Sequence, residues 1–174
     1  MVTQTNWLDR QWEFNFSPGY FPAILERFRG TPARVEDLVR SFPAQILNVR
    51  LNNSWSIQEH IGHLYDLGEL DDRRLREFLS GAETLSPADM KNEKTYRADH
   101  NAQPLQAILK KFRAERSSIV RKLEGLSDAE VARSAMHPRL KKQVRLVDWL
   151  YFMAEHDDHH IARMTGIARA LQQK

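Results

Sequence analysis

The histidines are the residues of this chain whose type and spacing could do chemistry. There are seven in 174 residues. Three fall within five residues near the end of the chain, and two fall three residues apart nearer its middle. In chain order these five are His60, His63, His156, His159 and His160. Imidazole is the commonest metal ligand among protein side chains, so this clustering indicates a metal site.

The late histidines continue an apolar helical stripe made of Leu146, Trp149, Leu150 and Met153. Steps of three and four residues extend that stripe to His156 and His160. Residues four apart lie on one face of a helix, one turn apart, so both imidazoles can reach one ion. His63 lies in line with Leu67 and Leu70 on an earlier helix and can also face inward.

Three neutral imidazoles that converge in a dry interior have ring nitrogens that need partners, and a divalent metal ion provides one. Three histidines with an open fourth position are typical of a catalytic zinc-type site. The alternative is that the histidines are buried and bonded to carbonyls, or lie on the surface. His159 could replace His160, but Met164 continues the line of His160. We therefore predict His63, His156 and His160 as ligands. His159 leans outward and is a candidate for orienting a ligand or for catalysis.

The remaining histidines and the nearby acidic residues are not predicted to bind the metal directly. We expect His60 to bond a neighbouring group of the chain, and His100 and His137 to be solvated in loops. Three carboxylates lie close enough in sequence to orient a ligand imidazole, or else are exposed helix residues. They are Asp157, Glu59 and Asp66, of which Glu59 also completes a capping box that begins at Ser56. Three arginines could bind a carboxylated thiol, but we expect them to be solvated: Arg73, Arg74 and Arg97.

Composition excludes several classes of function. The chain has 26 Lys+Arg against 23 Asp+Glu, a net charge of +3, and no basic stripe with interleaved aromatics, so nucleic acid is not an expected partner. Cysteine is absent, which excludes disulfides, Fe–S clusters, cysteine-ligated zinc and a cysteine nucleophile. No apolar run reaches the length of a membrane span, and the first residues do not resemble a signal peptide. These features predict a cytoplasmic protein with one domain over residues 1–174.

Helical periodicity predicts an all-α four-helix bundle with a long crossover connection. The predicted helices cover about 21–42, 56–80, 104–123 and 144–171. The first is interrupted at Gly30, and a short helix follows Ser127. We expect no strands, with 136–143 as a loop. The connection 81–103 is a crossover, or a lid that contains a short helix. The aromatic segment 7–21 either packs across the bundle or forms part of a dimer contact.

Two segments resemble a known family in order and spacing. Residues 55–64, from Trp55 through His63, and residues 154–160, from Ala154 through His160, resemble the signatures of the DinB/YfiT-like superfamily. The resemblance extends from about Gly19 to Met164. It implies a four-helix bundle that holds a divalent metal on one histidine of the second predicted helix and two of the last. At matching positions these are His63, His156 and His160. The doubled His159-His160 is an additional feature of this sequence.

The resemblance also implies a function. Members of this superfamily include thiol S-transferases that use bacillithiol or mycothiol and a mycothiol-dependent maleylpyruvate isomerase, and dimers are common among them. We therefore expect a homodimeric, metal-dependent transferase that adds a small-molecule thiol from solution to an electrophile. The alternatives are a metal-dependent hydrolase, a non-catalytic metal-binding stress-response dimer, and a helical interaction protein with packed histidines. Zinc or nickel is the expected metal, with iron or manganese as alternatives, because imidazole suits several of these ions.

Overall fold

The computed structural model describes residues 2–52 and 54–173. Its helices and strands are α1 (Phe21–Arg29), α2 (Thr31–Arg40), α3 (Ile57–Asp66), α4 (Gly68–Ser80), α5 (Glu93–Arg97), α6 (Leu105–Glu124), α7 (Asp128–Val131), β1 (Ser134–His137), β2 (Lys142–Arg145) and α8 (Leu146–Gln172). Short 3-10 turns lie at Trp7–Asp9, Pro18–Tyr20, Ala44–Ile46 and His100–Ala102. The helical pairs α1–α2 and α3–α4, together with α6 and α8, form the four-helix bundle that the periodicity predicts.

The breaks within the bundle follow local chemistry. Gly30 separates α1 from α2, as predicted from Gly30 and the proline that follows Thr31. The capping box at the start of α3 is present, with Glu59 N–H donating to Ser56 Oγ at 3.1 Å and Ser56 N–H donating to a Glu59 carboxylate oxygen at 2.8 Å. The predicted continuous helix over 56–80 is instead divided at Leu67. Gly81 then ends α4 with a φ of 74°, the left-handed conformation that glycine adopts most easily.

The core also includes the aromatic residues that precede the bundle. Trp12 is buried in the cluster that contains Phe28, Phe78 and Trp149, and other aromatics of the same segment pack against this cluster. The segment therefore packs on the bundle, which was one of the two predicted alternatives. A second cluster lies along α2, α3, α6 and α8.

The absence of strands was a wrong prediction. β1 and β2 form an antiparallel hairpin in which Ala135 pairs with Val144. Each strand has only four residues, too few to show a clear alternation. The long connection before α6 joins this hairpin, since Leu85 N–H donates to the Met136 carbonyl at 3.0 Å and Met136 N–H donates to the Glu83 carbonyl at 2.8 Å. The same connection contains the short helix α5, which only one of its two predicted alternatives included.

No helix among residues 2–52 and 54–173 is both long and apolar enough to cross a bilayer.

Gly62 of α3 faces the ring of His100. Only 2% of His100 is exposed, so the prediction that this residue is solvated is wrong. The His100 Nε2 lies 2.8 Å from Asp66 Oδ2. A Cβ added at Gly62 would lie 2.2 Å from the His100 ring. Gly62→Ala is therefore expected to displace this ring and to lower the free energy of unfolding by about 1–3 kcal/mol. Urea denaturation of the metal-free protein measures the change.

The matched control for that substitution is Gly166→Ala on α8, where an added Cβ would meet nothing within 4 Å. Alanine there should stabilise the helix by up to about 1 kcal/mol. Equal stability of Gly62→Ala and the wild type would contradict the packing of His100 against α3.

Candidate metal centre

Two packed helices supply the central histidines. α3 contributes His60 and His63, and α8 contributes His156 and His160. On α8 the buried face passes from apolar residues to His156 and His160 and back to Met164, as the stripe predicts. All four imidazoles are buried at the contact between the two helices.

Three of these side chains converge on one point. One ring nitrogen from each of His63, His156 and His160 lies within 4.8 Å of the other two. The Nε2 atoms of His156 and His160 are 3.1 Å apart. Two nitrogens bound to one tetrahedral zinc ion at 2.0–2.1 Å lie about 3.3 Å apart, so this pair already has the spacing of two ligands. The predicted ligand residues are therefore brought together.

Neighbouring groups orient two of the three rings. His63 Nδ1 lies 3.1 Å from Thr95 Oγ1, and His160 Nδ1 lies 2.7 Å from His60 Nδ1. When His63 and His160 donate from Nδ1, each presents a free Nε2 lone pair to the centre. His156 has its Nδ1 buried without a hydrogen-bond partner among the described residues, and its ring meets the edge of Trp7 with centroids 4.9 Å apart.

Burial keeps the cluster uncharged. Desolvation lowers the pKa of His60 to about 3 and that of His63 to about 4. It also holds the pKa values of His156 and His160 well below the ordinary value, with further lowering from neighbouring histidines. The rings are therefore neutral near pH 7, which is the form that binds a metal ion.

His159 lies outside this group of three. It is partly exposed, and Gln4 Nε2 lies 3.0 Å from its Nδ1 while also donating to its backbone carbonyl at 3.1 Å. The side chain is thus directed toward the N-terminal segment, although it still contributes to a cavity wall. The structure brings His160, and not His159, into the cluster.

The three carboxylates expected near the ligands bond other groups. Asp157 accepts from Thr31 Oγ1 at 2.7 Å and pairs with Arg116. Glu59 accepts from Arg50 Nε at 2.9 Å besides capping α3, and Asp66 bonds His100. These side chains serve the packing of helices and turns and do not bond a clustered histidine. The alternative prediction, that they are exposed helix residues, is wrong because all three are buried.

His60 and Thr95 fill that orienting role instead. The orienting role of His60 could have been predicted from its position one turn before His63. His60 bonds a neighbouring group of the chain, as expected, and that group is His160. Thr95 lies in the long connection, where no periodic signal marks it.

A cavity of about 230 Å³ opens beside the three histidines. Its aromatic walls include Trp7, Trp55 and Phe152. Its polar lining also includes Asp71, Arg74, Asp89, Asn92, His137 and Arg139. Arg74 was predicted to be solvated, but only 3% of the residue is exposed, so that prediction is wrong. His137 is only 2% exposed, so its predicted solvation is also wrong. His137 and Arg139 were missed because the hairpin that carries them was not predicted.

A four-helix bundle with three inward histidines, two of them on its last helix, defines the class of protein. A family model described as the DinB superfamily matches residues 27–164, and the chain belongs to this family. The match includes all three clustered histidines.

A solved structure with the same fold is YfiT from Bacillus subtilis, described as a probable metal-dependent hydrolase with an unusual four-helix bundle topology. The two structures superpose with a TM-score of 0.78 at 20% sequence identity, over 94% of each chain. This likeness concerns the fold. No curated protein matches the chain.

Proposed function

We propose that this protein is a metal-dependent enzyme that holds one divalent transition-metal ion on His63, His156 and His160. The observation that carries the proposal is the convergence of three buried, neutral imidazoles within 4.8 Å beside an open cavity. The residues fit such an ion, because the ring nitrogens of His63 and His160 that face away from the centre are already bonded. Zinc or nickel is the proposed ion, with iron or manganese as alternatives.

A divalent ion at this position would act as a Lewis acid and lower the pKa of a thiol or water that it binds. The chain contributes the geometry and the surroundings. The three histidines would hold the ion, and the cavity that they line would leave room for the reacting molecule. Trp7 and Trp55 shield the cluster from solvent, and both line the cavity. A volume of about 230 Å³ suits a small molecule or one part of a larger one.

The proposed reaction is transfer of a small-molecule thiol to an electrophilic carbon. The chain has no cysteine, so the sulfur nucleophile must come from solution. The resemblance of 55–64 and 154–160 to a superfamily that includes bacillithiol- and mycothiol-dependent transferases supports this choice. A second candidate is hydrolysis, with water in place of the thiol, and the description of the similarly folded YfiT favours it.

Cobalt substitution separates these candidates. Addition of bacillithiol, mycothiol or cysteine to the cobalt-loaded protein is expected to produce a near-ultraviolet thiolate-to-cobalt band and metal-dependent conjugation to bromobimane. Thiol-independent release of p-nitrophenol from an ester that is lost in His63→Ala would instead favour the hydrolase. A protein that binds cobalt and shows neither reaction fits a non-catalytic metal-binding protein. Failure to bind cobalt would contradict the whole proposal.

Two further expectations from the sequence are retained as proposals. One is assembly as a homodimer, which sedimentation at equilibrium measures. The other is a cytoplasmic location, with which the lack of cysteine is compatible.

A further inference from the structure

We propose that the cavity wall formed by Arg74, His137 and Arg139 is an anion subsite that receives a carboxylate of the small molecule reacting at the three histidines. The assignment to a reacting molecule rests on the proposed function. The subsite itself rests on the side chains described next.

Arg139 presents a buried donor without a partner. Its Nη2 is buried and has no hydrogen-bond partner among the described residues. The guanidinium carbon lies 5.7 Å from the ring centroid of Trp7 and 5.2 Å from that of Phe152. Trp7 in turn contacts His156, so this charge lies one aromatic ring away from the candidate metal centre. An unpaired buried donor of this kind is costly unless a ligand satisfies it.

His137 provides a second unused donor. Its Nδ1 accepts from the Leu140 N–H at 3.2 Å, which places the ring proton on Nε2. That Nε2 is buried and has no partner in the part of the chain that the structure describes. Burial, together with the nearby charges of Arg74 and Arg139, lowers the pKa of His137 to about 4. The ring is therefore a neutral single donor near pH 7.

Arg74 adds a buried positive charge. Its Nε and Nη2 donate to the Ser86 carbonyl at 2.9 and 2.8 Å, and only 3% of the residue is exposed. Among the described residues neither Arg74 nor Arg139 forms an ion pair, whereas the equally buried Arg116 is paired with Asp157. Buried guanidinium groups are normally paired with an anion. Arg74 is buried, and Arg139 is half-buried with its Nη2 enclosed, so the lack of a carboxylate partner for both within the described chain at one cavity indicates a missing anion.

Asp71 also lines this cavity and bears on the charge balance. Its Oδ1 is buried without a partner, and burial raises its pKa to about 7. The carboxyl is thus partly protonated at neutral pH and offsets only part of the charge of the two arginines. Asp89 lines the same cavity, but its carboxylate is exposed and accepts from the N–H groups of Lys91 and Glu93. The buried part of the wall therefore remains net positive.

The hydrogen-bond donors of this wall suit a carboxylate. A guanidinium fork and an imidazole N–H match the two oxygens of a planar carboxylate. The cavity is small and is shared with the histidine cluster, so the carboxylate and the reacting group belong to one compact molecule. A carboxylated thiol satisfies both ends.

The test compares 3-mercaptopropionate with its uncharged amide, 3-mercaptopropionamide, by calorimetry on the zinc-loaded protein. Hydrogen bonds to a charged group predict that the wild type prefers the acid by at least about tenfold. The preference should fall below about twofold in Arg139→Gln and in His137→Phe. It should persist in Arg76→Gln, a control on α4 whose exposed side chain pairs with Asp72. Circular dichroism checks that each variant is folded.

A second arm keeps the subsite testable without a metal. Benzoate and benzamide are titrated into the metal-free protein and followed by NMR line broadening. Benzoate should bind in preference to benzamide, and Arg139→Gln should abolish the difference. Equal binding of acid and amide to the wild type, or an acid preference that survives in both Arg139→Gln and His137→Phe, would overturn the subsite. Failure of metal loading with a retained benzoate preference would contradict only the proposed function.

Discussion

Replacing His156 or His160 by alanine is expected to weaken metal binding by at least about 100-fold, whereas His159→Ala should leave it close to that of the wild type. Loss of even an outer hydrogen-bond partner of a ligand costs 10–100-fold in many metal sites, and loss of the ligand itself costs more. His156 and His160 lie in the three-nitrogen cluster, and the His159 ring is directed toward Gln4. Competition with a zinc chelator measures the affinities.

The same competition with a zinc chelator also measures how much the side chains around the ligands contribute to metal affinity. His60→Phe should give an intermediate loss of about 10–100-fold, because His60 fixes the ring of His160 through the 2.7 Å contact between their Nδ1 atoms. Retention of stoichiometric zinc in His160→Ala, with loss in His159→Ala, would reverse the assignment of the two neighbouring histidines.

Asp157→Ala should lower the free energy of unfolding by about 3–5 kcal/mol, because it leaves the buried charge of Arg116 without its partner. Both side chains are almost fully buried. Arg116 also donates to the Phe28 carbonyl at 3.0 Å, and Thr31 donates to Asp157 at 2.7 Å. The hydrogen-bonded side chains of Thr31, Arg116 and Asp157 thereby join α2, α6 and α8 beside the histidine cluster. Urea denaturation of the metal-free protein measures the loss.

Asp158→Ala is the matched control one residue away. Asp158 pairs with Arg27 and Arg34, but its side chain is 32% exposed, so solvent screens these interactions. The expected change is about 1 kcal/mol or less. Equal losses in the two variants would show that Asp157 and Arg116 do not form a buried pair.

The sequence was sufficient to predict the bundle and the convergence of the histidines, because both depend on helical periodicity. Met153, His156 and His160 are spaced by three and four residues, and any α-helix places them on one face. The inward direction of His63 was predicted in the same way, from its line with Leu67 and Leu70. That line crosses the end of α3, since Leu70 lies in α4.

The groups around the cluster could not be predicted in the same way. Thr95 and His100 lie in the long connection and reach α3 only through tertiary folding. His100 had been expected in solvent, but it packs where Gly62 leaves space. His137 lies on a strand too short to show alternation. Asp157 follows a candidate ligand in sequence, yet a helix turns its side chain by 100° from His156 and directs it to Arg116.

The most direct measurement of the central proposal is X-ray diffraction from crystals of the metal-loaded protein, with anomalous data collected at the absorption edge of the bound metal. Tag-free protein should carry about one equivalent of metal, and the anomalous map should show one peak bonded by imidazole nitrogens of His63, His156 and His160. A peak held by other residues would contradict the ligand assignment. Protein that stays metal-free after dialysis against zinc, nickel and manganese would contradict the metal-dependent enzyme and leave a bundle with packed histidines.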